Sequence, residues 1–461
     1  MKTWRKISFR IIALVIIAIL FASCQKDNDD FDSLDILKKL NSLEGVSAVE
    51  IDPQNEYCRS FQVDITQPVD HNNPSGPKFT QRAYLHHVDD DMPIVFAPNG
   101  YRSTPTSRQE ISTLLQTNLL HVTHRFFYDS RPASLDWQYL TVKQAADDHH
   151  NIVTLFKKIY EGKWISSGGS KSGLACLFHK RYYPEDVDAT IAYVAPFTFG
   201  PNDTRFVEYL QNVGSNECYP KLVGIQQFVL KHRSEMLEVM DQYINTHPNE
   251  TYTMDRDQLL EITIMDFPFT FWQYYNFSCS SIPDTTGANP ADIYSYYTSI
   301  VPQSSFSDET LAYYEPYVYQ AMTEVGAPAY DFQALEGLLT KIDPNSCDNP
   351  NFQLLAPAGA DYTFNYTTIP EIYSWLQNYG DHIIYIYGEN DPWSAGAIEL
   401  TGSADALFFM QPGTNHGVKI VNLDNPDVVY QKLEEWLGIE ISSAQKSQPV
   451  NIEPEEVRFK L

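Results

Sequence analysis

The sequence predicts an α/β fold: a mainly parallel sheet flanked by helices and carrying a large helical insertion. Three observations predict it. Short apolar strand candidates alternate with helix candidates from about residue 93 to 195. The alternation then stops, and residues 200–375 are rich in helix signals and tyrosine. It resumes with two further strand–loop units between 376 and 440. The 461 residues are 43% hydrophobic and 13% aromatic, enough for a large core and more than one domain usually holds.

Taken in order, the chain opens with Lys2, Arg5, Lys6 and Arg10, an apolar run from Ile11 to Phe21, and then Ala22, Ser23 and Cys24. This is the pattern of a signal peptide over 1–23, too short and wrongly flanked for a spanning helix. Small residues directly before Cys24 resemble a bacterial lipobox. Cleavage is therefore expected before Cys24, with a lipid on that residue anchoring the chain to the outer or cytoplasmic membrane. Residues 24–45 read as an acidic tether ending in a short helix from about Leu34 to Leu43. The expected location is extracytoplasmic, with cell-surface display as one form of it. A formal charge of -27 argues against a nucleic-acid partner, which needs a basic surface. Cys176 falls on a predicted helix and reads as buried. Cys58, Cys218, Cys279 and Cys347 allow two disulfides in three pairings. No Cys-x-x-Cys or His-Glu-x-x-His spacing asks for a metal, and no cofactor is expected.

The part spanning 46–199 carries most of the strand signals. Phe61 to Thr66 alternates apolar and polar residues, and Phe79 to His87 follows the turn Asn73-Pro74-Ser75-Gly76. Pro93 to Ala97 is a continuous apolar run, as a central strand requires, and it ends in the sharp loop Pro98-Asn99-Gly100-Tyr101. Leu119 to Val122 is the next strand. Tyr139 to Tyr160 reads as one amphipathic helix with a stripe through Ile152, Val153 and Phe156. Trp164-Ile165 and Ala189 to Val194 complete the strands of this part. Within the insertion, Ile225 to Tyr243 and Asp257 to Met265 read as helices, followed by an aromatic knot from Phe269 to Tyr275. His382 to Tyr387 and Ala406 to Met410 are the resumed strands. Asn425-Pro426 opens a helix that closes at Gly438, and 441–461 is a polar tail.

Chemistry enters at three loops. Trp164-Ile165 runs through Gly168 and Gly169 to Ser170 and then into a helix through Leu174, Leu177 and Phe178. Strand, glycine turn, serine and helix outline a nucleophile elbow. The pattern Gly-x-Ser-x-Gly has Ser172 at its last position, with Gly173 just after. Beyond the resumed strands lie Asp391, in Gly388-Glu389-Asn390-Asp391, and His416, in Thr414-Asn415-His416-Gly417. Ser, Asp and His in that order, each just past a strand, match the α/β-hydrolase arrangement with a large helical cap between nucleophile and acid. His416 is then the base for the Ser170 hydroxyl, and Asp391 its orienter. The main-chain N–H of Lys171 is the first oxyanion donor, and the second is sought at Gly100 or Tyr101. Lys171 itself lies at the wrong spacing to act as a base.

Several strings together resemble a known family: Gln67-Pro-Val-Asp-His71, His124-Arg-Phe-Phe127, Gly168-Gly-Ser-Lys171, Ala195-Pro-Phe-Thr-Phe-Gly200 with Asp203, Phe271-Trp-Gln-Tyr274 and Gly388-Glu-Asn-Asp-Pro-Trp393. They are similar to serine peptidase family thirty-seven, the secreted bacterial tripeptidyl and prolyl aminopeptidases. A more distant likeness is to the prolyl carboxypeptidase and dipeptidyl peptidase group. The resemblance implies a capped α/β-hydrolase with Ser170, Asp391 and His416 as its triad, no metal, and removal of tripeptides or other short peptides from free N-termini. An exopeptidase must close one end of its cleft and meet the substrate's ammonium with a carboxylate. Asp203, Glu208, Glu217 and Asp266 are the candidates. Trp272, Gln273, Tyr274, Phe197, Phe199 and Trp393 are candidates for the walls, aromatic ones suiting a proline. Two other functions fit the same residues: a carboxylesterase using the same triad, and an inactive scaffold that captures peptide or glycan at the surface.

Overall fold

The computed structural model describes residues 31–446 apart from 56, 58, 276 and 277. The expected signal peptide, the lipidated Cys24, Cys58 and the end of the tail lie outside the described residues.

A nine-stranded sheet forms the body. Its strands are β1 (Val46–Ile51), β2 (Arg59–Pro68), β3 (Lys78–His87), β4 (Ile94–Pro98), β5 (Asn118–Val122), β6 (Trp164–Gly169), β7 (Ala189–Tyr193), β8 (Ile383–Gly388) and β9 (Ala406–Gln411). They lie in the order β1-β2-β3-β5-β4-β6-β7-β8-β9. The first four of that order pair antiparallel, and every pairing from β5 to β9 is parallel. Strand β1 has no counterpart among the sequence expectations. It is an edge strand in which only Ala48 is buried, so it lacks the apolar alternation that would announce it.

Strands β4 and β8 are apolar and buried throughout because both faces are covered. Along β4, Val95 and Ala97 face one layer with Ile111, Leu114, Val429 and Leu433. Ile94 and Phe96 face the opposite layer with Ile152, Val153 and Phe156. Strand β8 divides the same way: Ile384 and Ile386 join the first layer, Ile383, Tyr385 and Tyr387 the second. A period of two thus places helices Glu110–Leu115 and Asp427–Leu437 on one face, and Val142–Phe156, Lys171–Tyr182 and Thr368–Tyr379 on the other.

That last helix corrects the expected end of the insertion at 375. Ile369, Ile372 and Leu376 pack with Leu174, Leu177 and Tyr385, so helix Thr368–Tyr379 belongs to the body and 375 cuts through it. Two helices also differ from expectation. The single helix expected from Ile225 to Tyr243 is two, Cys218–Lys231 and Arg233–Thr246, broken at His232. The helix expected to stop at Met265 continues as Arg256–Tyr274, straight through Pro268. Proline there removes one backbone donor. Phe267, Phe271 and Trp272, all buried in the core of the insertion, hold the next turn in place. A disulfide between Cys218 and Cys279 ties the start of helix Cys218–Lys231 to the segment after Arg256–Tyr274. Cys176 is buried, as expected, and Cys347 forms no disulfide among the described residues.

Candidate active site

Parallel strands deliver their C-terminal ends to a single edge of the sheet, and the loops beyond β4, β6, β8 and β9 meet there. The loop beyond β6 is the tightest. Ser170 has φ 55° and ψ −128°, a left-handed conformation that side chains avoid. Its N–H donates to the Tyr193 carbonyl at 2.8 Å, and its carbonyl accepts the Leu174 N–H at 3.0 Å, so strand and helix fix it from both sides. Two glycines make this possible. A Cβ on Gly168 would stand 2.6 Å from the Ser172 carbonyl, and one on Gly173 would stand 2.9 Å from Ala195 Cβ. Gly169 has room for a side chain, its nearest neighbour being 3.9 Å away.

Ser172, where the elbow pattern has glycine, is buried and puts its hydroxyl to use. Its Oγ accepts the Gly100 N–H at 2.9 Å and donates to Asn99 Oδ1 at 3.1 Å. The Tyr101 N–H donates to the same Asn99 oxygen at 2.9 Å. This corrects the expected second oxyanion donor. Both candidate N–H groups are engaged, Gly100 because Ser172 brings an acceptor that glycine lacks. Lys171, first in its helix, has a main-chain N–H with no helical partner. Its side chain folds back over Tyr101 and Phe127 and donates from Nζ to the Gly100 carbonyl at 2.6 Å. Burial lowers this ammonium's pKa from 10.5 to about 7. A Cβ on Gly100 would overlap Lys171, which is why the β4 loop can lie against the elbow.

Asp391 and His416 come together beyond β8 and β9. The His416 Nδ1–H donates to Asp391 Oδ2 at 2.6 Å, which leaves Nε2 as the acceptor. Asp391 is fully buried, and its other oxygen accepts the Trp393 N–H at 3.1 Å. The two loops are stapled: the Asn390 N–H meets the Thr414 carbonyl at 2.8 Å, and the Gly413 N–H meets Glu389 Oε2 at 3.0 Å. Buried Glu110 holds the chain after His416 by accepting the Ile420 and Val421 N–H groups at 2.9 and 3.1 Å.

The insertion roofs this edge. The His416 N–H donates to the Gln273 carbonyl at 3.1 Å, and the Tyr274 ring lies 6.0 Å from the imidazole. Behind them is a small, partly open cavity walled by Gln273, Trp393, Asp266, Tyr314, Tyr317 and Tyr330 among others. Gln273 and Trp393 therefore sit where wall residues were sought. Trp272 does not: it is 3% exposed and packs on Phe271 inside the insertion core, one helical step away from the cavity face. Asp203 is also corrected. It pairs with Arg205 at 2.7 Å and accepts the Phe199 N–H at 3.1 Å, so its charge is already met and it holds a turn. Glu217 points to solvent, and Glu208 borders a separate polar groove with Arg205 and Glu389. Phe197 is buried, and Phe199 lies under the Arg205 guanidinium. Sequence reasoning missed Asn99 and Glu110 as supports of the loops, and the tyrosines 314, 317 and 330 as walls. Asn99 had a signal, its place in the loop beyond β4; the others had none along the chain.

The quoted strings also find physical roles. Fully buried Arg125 grips Asp148 through Nε at 2.7 Å and Nη2 at 2.8 Å, and the His71 Nε2–H donates to the same carboxylate at 2.7 Å. Arg125 also donates to the carbonyls of Val69 and Tyr139. The knot fixes the segment that carries His124, whose N–H donates to the Tyr101 carbonyl at 2.8 Å, and Phe127, which packs on the Tyr101 ring. These residues brace the β4 loop.

A mostly parallel sheet in this strand order, with a serine on a strained turn between β6 and its helix and a helical insertion between β7 and β8, defines an α/β-hydrolase. Residues 30–454 match the family described as PS-10 peptidase S37. The prolyl tri/tetrapeptidyl aminopeptidase of Streptomyces mobaraensis is 32% identical over 424 residues, covering 90% of this chain and 87% of that one. The chain belongs to the S37 peptidase family and is a serine peptidase, as the six strings implied. Among solved structures, the proline iminopeptidase of Mycobacterium smegmatis aligns at 11% identity and a TM-score of 0.38, over 81% of this chain and 98% of that one.

Proposed function

We propose that this peptidase is an exopeptidase that removes short peptides, tripeptides foremost, from free N-termini, with Ser170, His416 and Asp391 as its catalytic residues. The observation that carries the triad is the Asp391–His416 pair at 2.6 Å, on the same sheet edge as the strained Ser170. In the reaction, His416 Nε2 takes the Ser170 hydroxyl proton as Oγ attacks the scissile carbonyl. Asp391 keeps the imidazole in the right tautomer and stabilises its charged form. The oxyanion is met by the Lys171 N–H at the positive end of its helix. His416 then returns the proton to the leaving amine, and water repeats the sequence to free the peptide from Ser170.

The choice of exopeptidase rests on the insertion, which roofs the edge and leaves a small, partly open aromatic space beside it. The relative's name, prolyl tri/tetrapeptidyl aminopeptidase, supports both the length and a proline at the cleavage site. Trp393, Tyr314 and Tyr317 offer flat apolar faces suited to a pyrrolidine ring. Export and a lipid anchor at Cys24 belong to the same reading and are tested by mass spectrometry of the mature N-terminus.

A ladder of peptides with free and N-acetylated ends, read by mass spectrometry, tests the activity. Release of tripeptides from free ends alone is expected, and Ser170→Ala should abolish it while leaving the fold intact. Equal cleavage of acetylated peptides would remove the exopeptidase assignment. Undiminished cleavage by Ser170→Ala would remove the triad.

A further inference from the structure

Asp266 stands apart from the other carboxylates of the interior. Buried Asp148 faces Arg125, Asp203 faces Arg205, and Glu261 faces Arg233 and three main-chain N–H groups. Glu110 is met by the N–H groups of Ile420 and Val421. Asp266 receives only two neutral hydroxyls, from Thr270 at 3.0 Å and Tyr330 at 3.3 Å. Among the described residues no Lys, Arg or His pairs with it. The titratable groups facing it are the neutral phenols of Tyr274, Tyr317 and Tyr330. It is half-buried and opens onto the cavity beside His416. Burial pushes its pKa up to about 6, so near neutral pH it is an ionised group whose charge no cation among the described residues balances. Such a group favours an incoming cation.

Its place on the helix adds a length. Asp266, Thr270 and Gln273 follow at intervals of four and three on helix Arg256–Tyr274 and all line the cavity. The Gln273 carbonyl holds the His416 N–H. Seven residues of helix advance roughly 10 Å. Three residues of extended peptide also span roughly 10 Å, from the first nitrogen to the third carbonyl. We propose that Asp266 binds the α-ammonium group of the substrate, and that its separation from His416 along this helix sets release at the third residue. This rests on the exopeptidase reading above.

The experiment compares kcat/KM for tripeptidyl anilides with free and N-acetylated ends, in the wild type and in Asp266→Asn, with the reaction of Ser170 with a fluorophosphonate reporting a folded site. Expected is a wild-type preference for the free end, reduced on the order of 10²-fold in Asp266→Asn, chiefly through KM. Dipeptidyl anilides, whose ammonium falls short of Asp266, should be poor in both proteins. A wild type that cleaves both ends equally would overturn the exopeptidase reading itself. A wild type that discriminates, with Asp266→Asn discriminating as strongly, would overturn only the role of Asp266. Should Asp266→Asn not fold, Tyr330→Phe decides. Removing one hydroxyl from the carboxylate should change KM for the free-ended substrate severalfold and leave KM for the acetylated one in place. Equal changes in both would sink the proposal.

Discussion

Replacing Lys171 by methionine should stabilise the protein near neutral pH and destabilise it in strong base. Lys171 is 7% exposed, and among the described residues its side chain has the Gly100 carbonyl, at 2.6 Å, as its one hydrogen-bond acceptor and no carboxylate as a partner. Burial lowers its pKa from 10.5 to about 7. The sign follows from proton counts. Between pH 7 and 10.5 the unfolded chain holds a proton on this amine that the folded chain does not, so stability rises with pH across that window. Below pH 7 the full penalty applies: 3.5 units at 1.36 kcal/mol each, or about 5 kcal/mol. Above 10.5 both states are neutral and the penalty is gone. Methionine removes the penalty but also the donor to Gly100, which costs about 1–3 kcal/mol. Lys171→Met should therefore be more stable than wild type by about 2–4 kcal/mol at pH 6, and less stable by about 1–3 kcal/mol near pH 10.5. Urea unfolding of both proteins at pH 6, 8 and 10 reads the difference, in which other ionisations cancel. A difference that stays constant over that range would refute a buried, destabilised ammonium. Peptidase activity should fall in the variant, because the β4 loop keeps its bond to Ser172 but loses the one from Lys171 to the Gly100 carbonyl.

Asp391→Asn should lower kcat by on the order of 10⁴-fold with little change in melting temperature, since an amide facing Nδ1 favours the wrong imidazole tautomer. Ser172→Ala should cost about 1–3 kcal/mol in urea unfolding, because it strips the acceptor from the Gly100 N–H in a buried place. His149→Phe should make the protein more acid-resistant. Burial lowers the His149 pKa from 6.5 to about 3, so wild-type stability is lost as pH falls from 6.5 toward 3. Between pH 7 and pH 5 the variant should gain about 2 kcal/mol on the wild type, read from melts at both values; parallel losses would contradict it.

The body of the fold was legible because its signals are local. Continuous apolar runs mark β4 and β8, and each of Ser170, Asp391 and His416 lies within a few residues of a strand end. Strand order converts that linear fact into proximity. The insertion was less legible for two physical reasons. Its helices are shaped by their mutual packing, so Pro268 sits in a helix that local propensity would end, and His232 breaks one that periodicity would continue. Its residues also face two ways within single strings. Trp272 and Gln273 are neighbours, yet one fills the core and the other lines the cavity. A string that resembles a family supports both equally.

The carboxylates sharpen the point. Asp203 and Asp266 look alike along the chain, and what separates them is whether a cation stands beside them. Arg205 is two residues from Asp203, close enough to have raised the possibility of a pair; the isolation of Asp266 depends on Thr270, Tyr330 and Tyr317, spread over three elements. The same logic explains Ser172. Along the chain its hydroxyl is a departure from the elbow pattern, small enough to fit a helical backbone. In the fold it joins two main-chain segments 72 residues apart, accepting from Gly100 while Lys171 donates back to the same residue's carbonyl. Elbow and β4 loop are thus bonded through both polar atoms of one peptide residue. That reciprocal tie engages the Gly100 N–H, so that in the proposed mechanism the Lys171 N–H and its helix supply the positive potential beside Ser170.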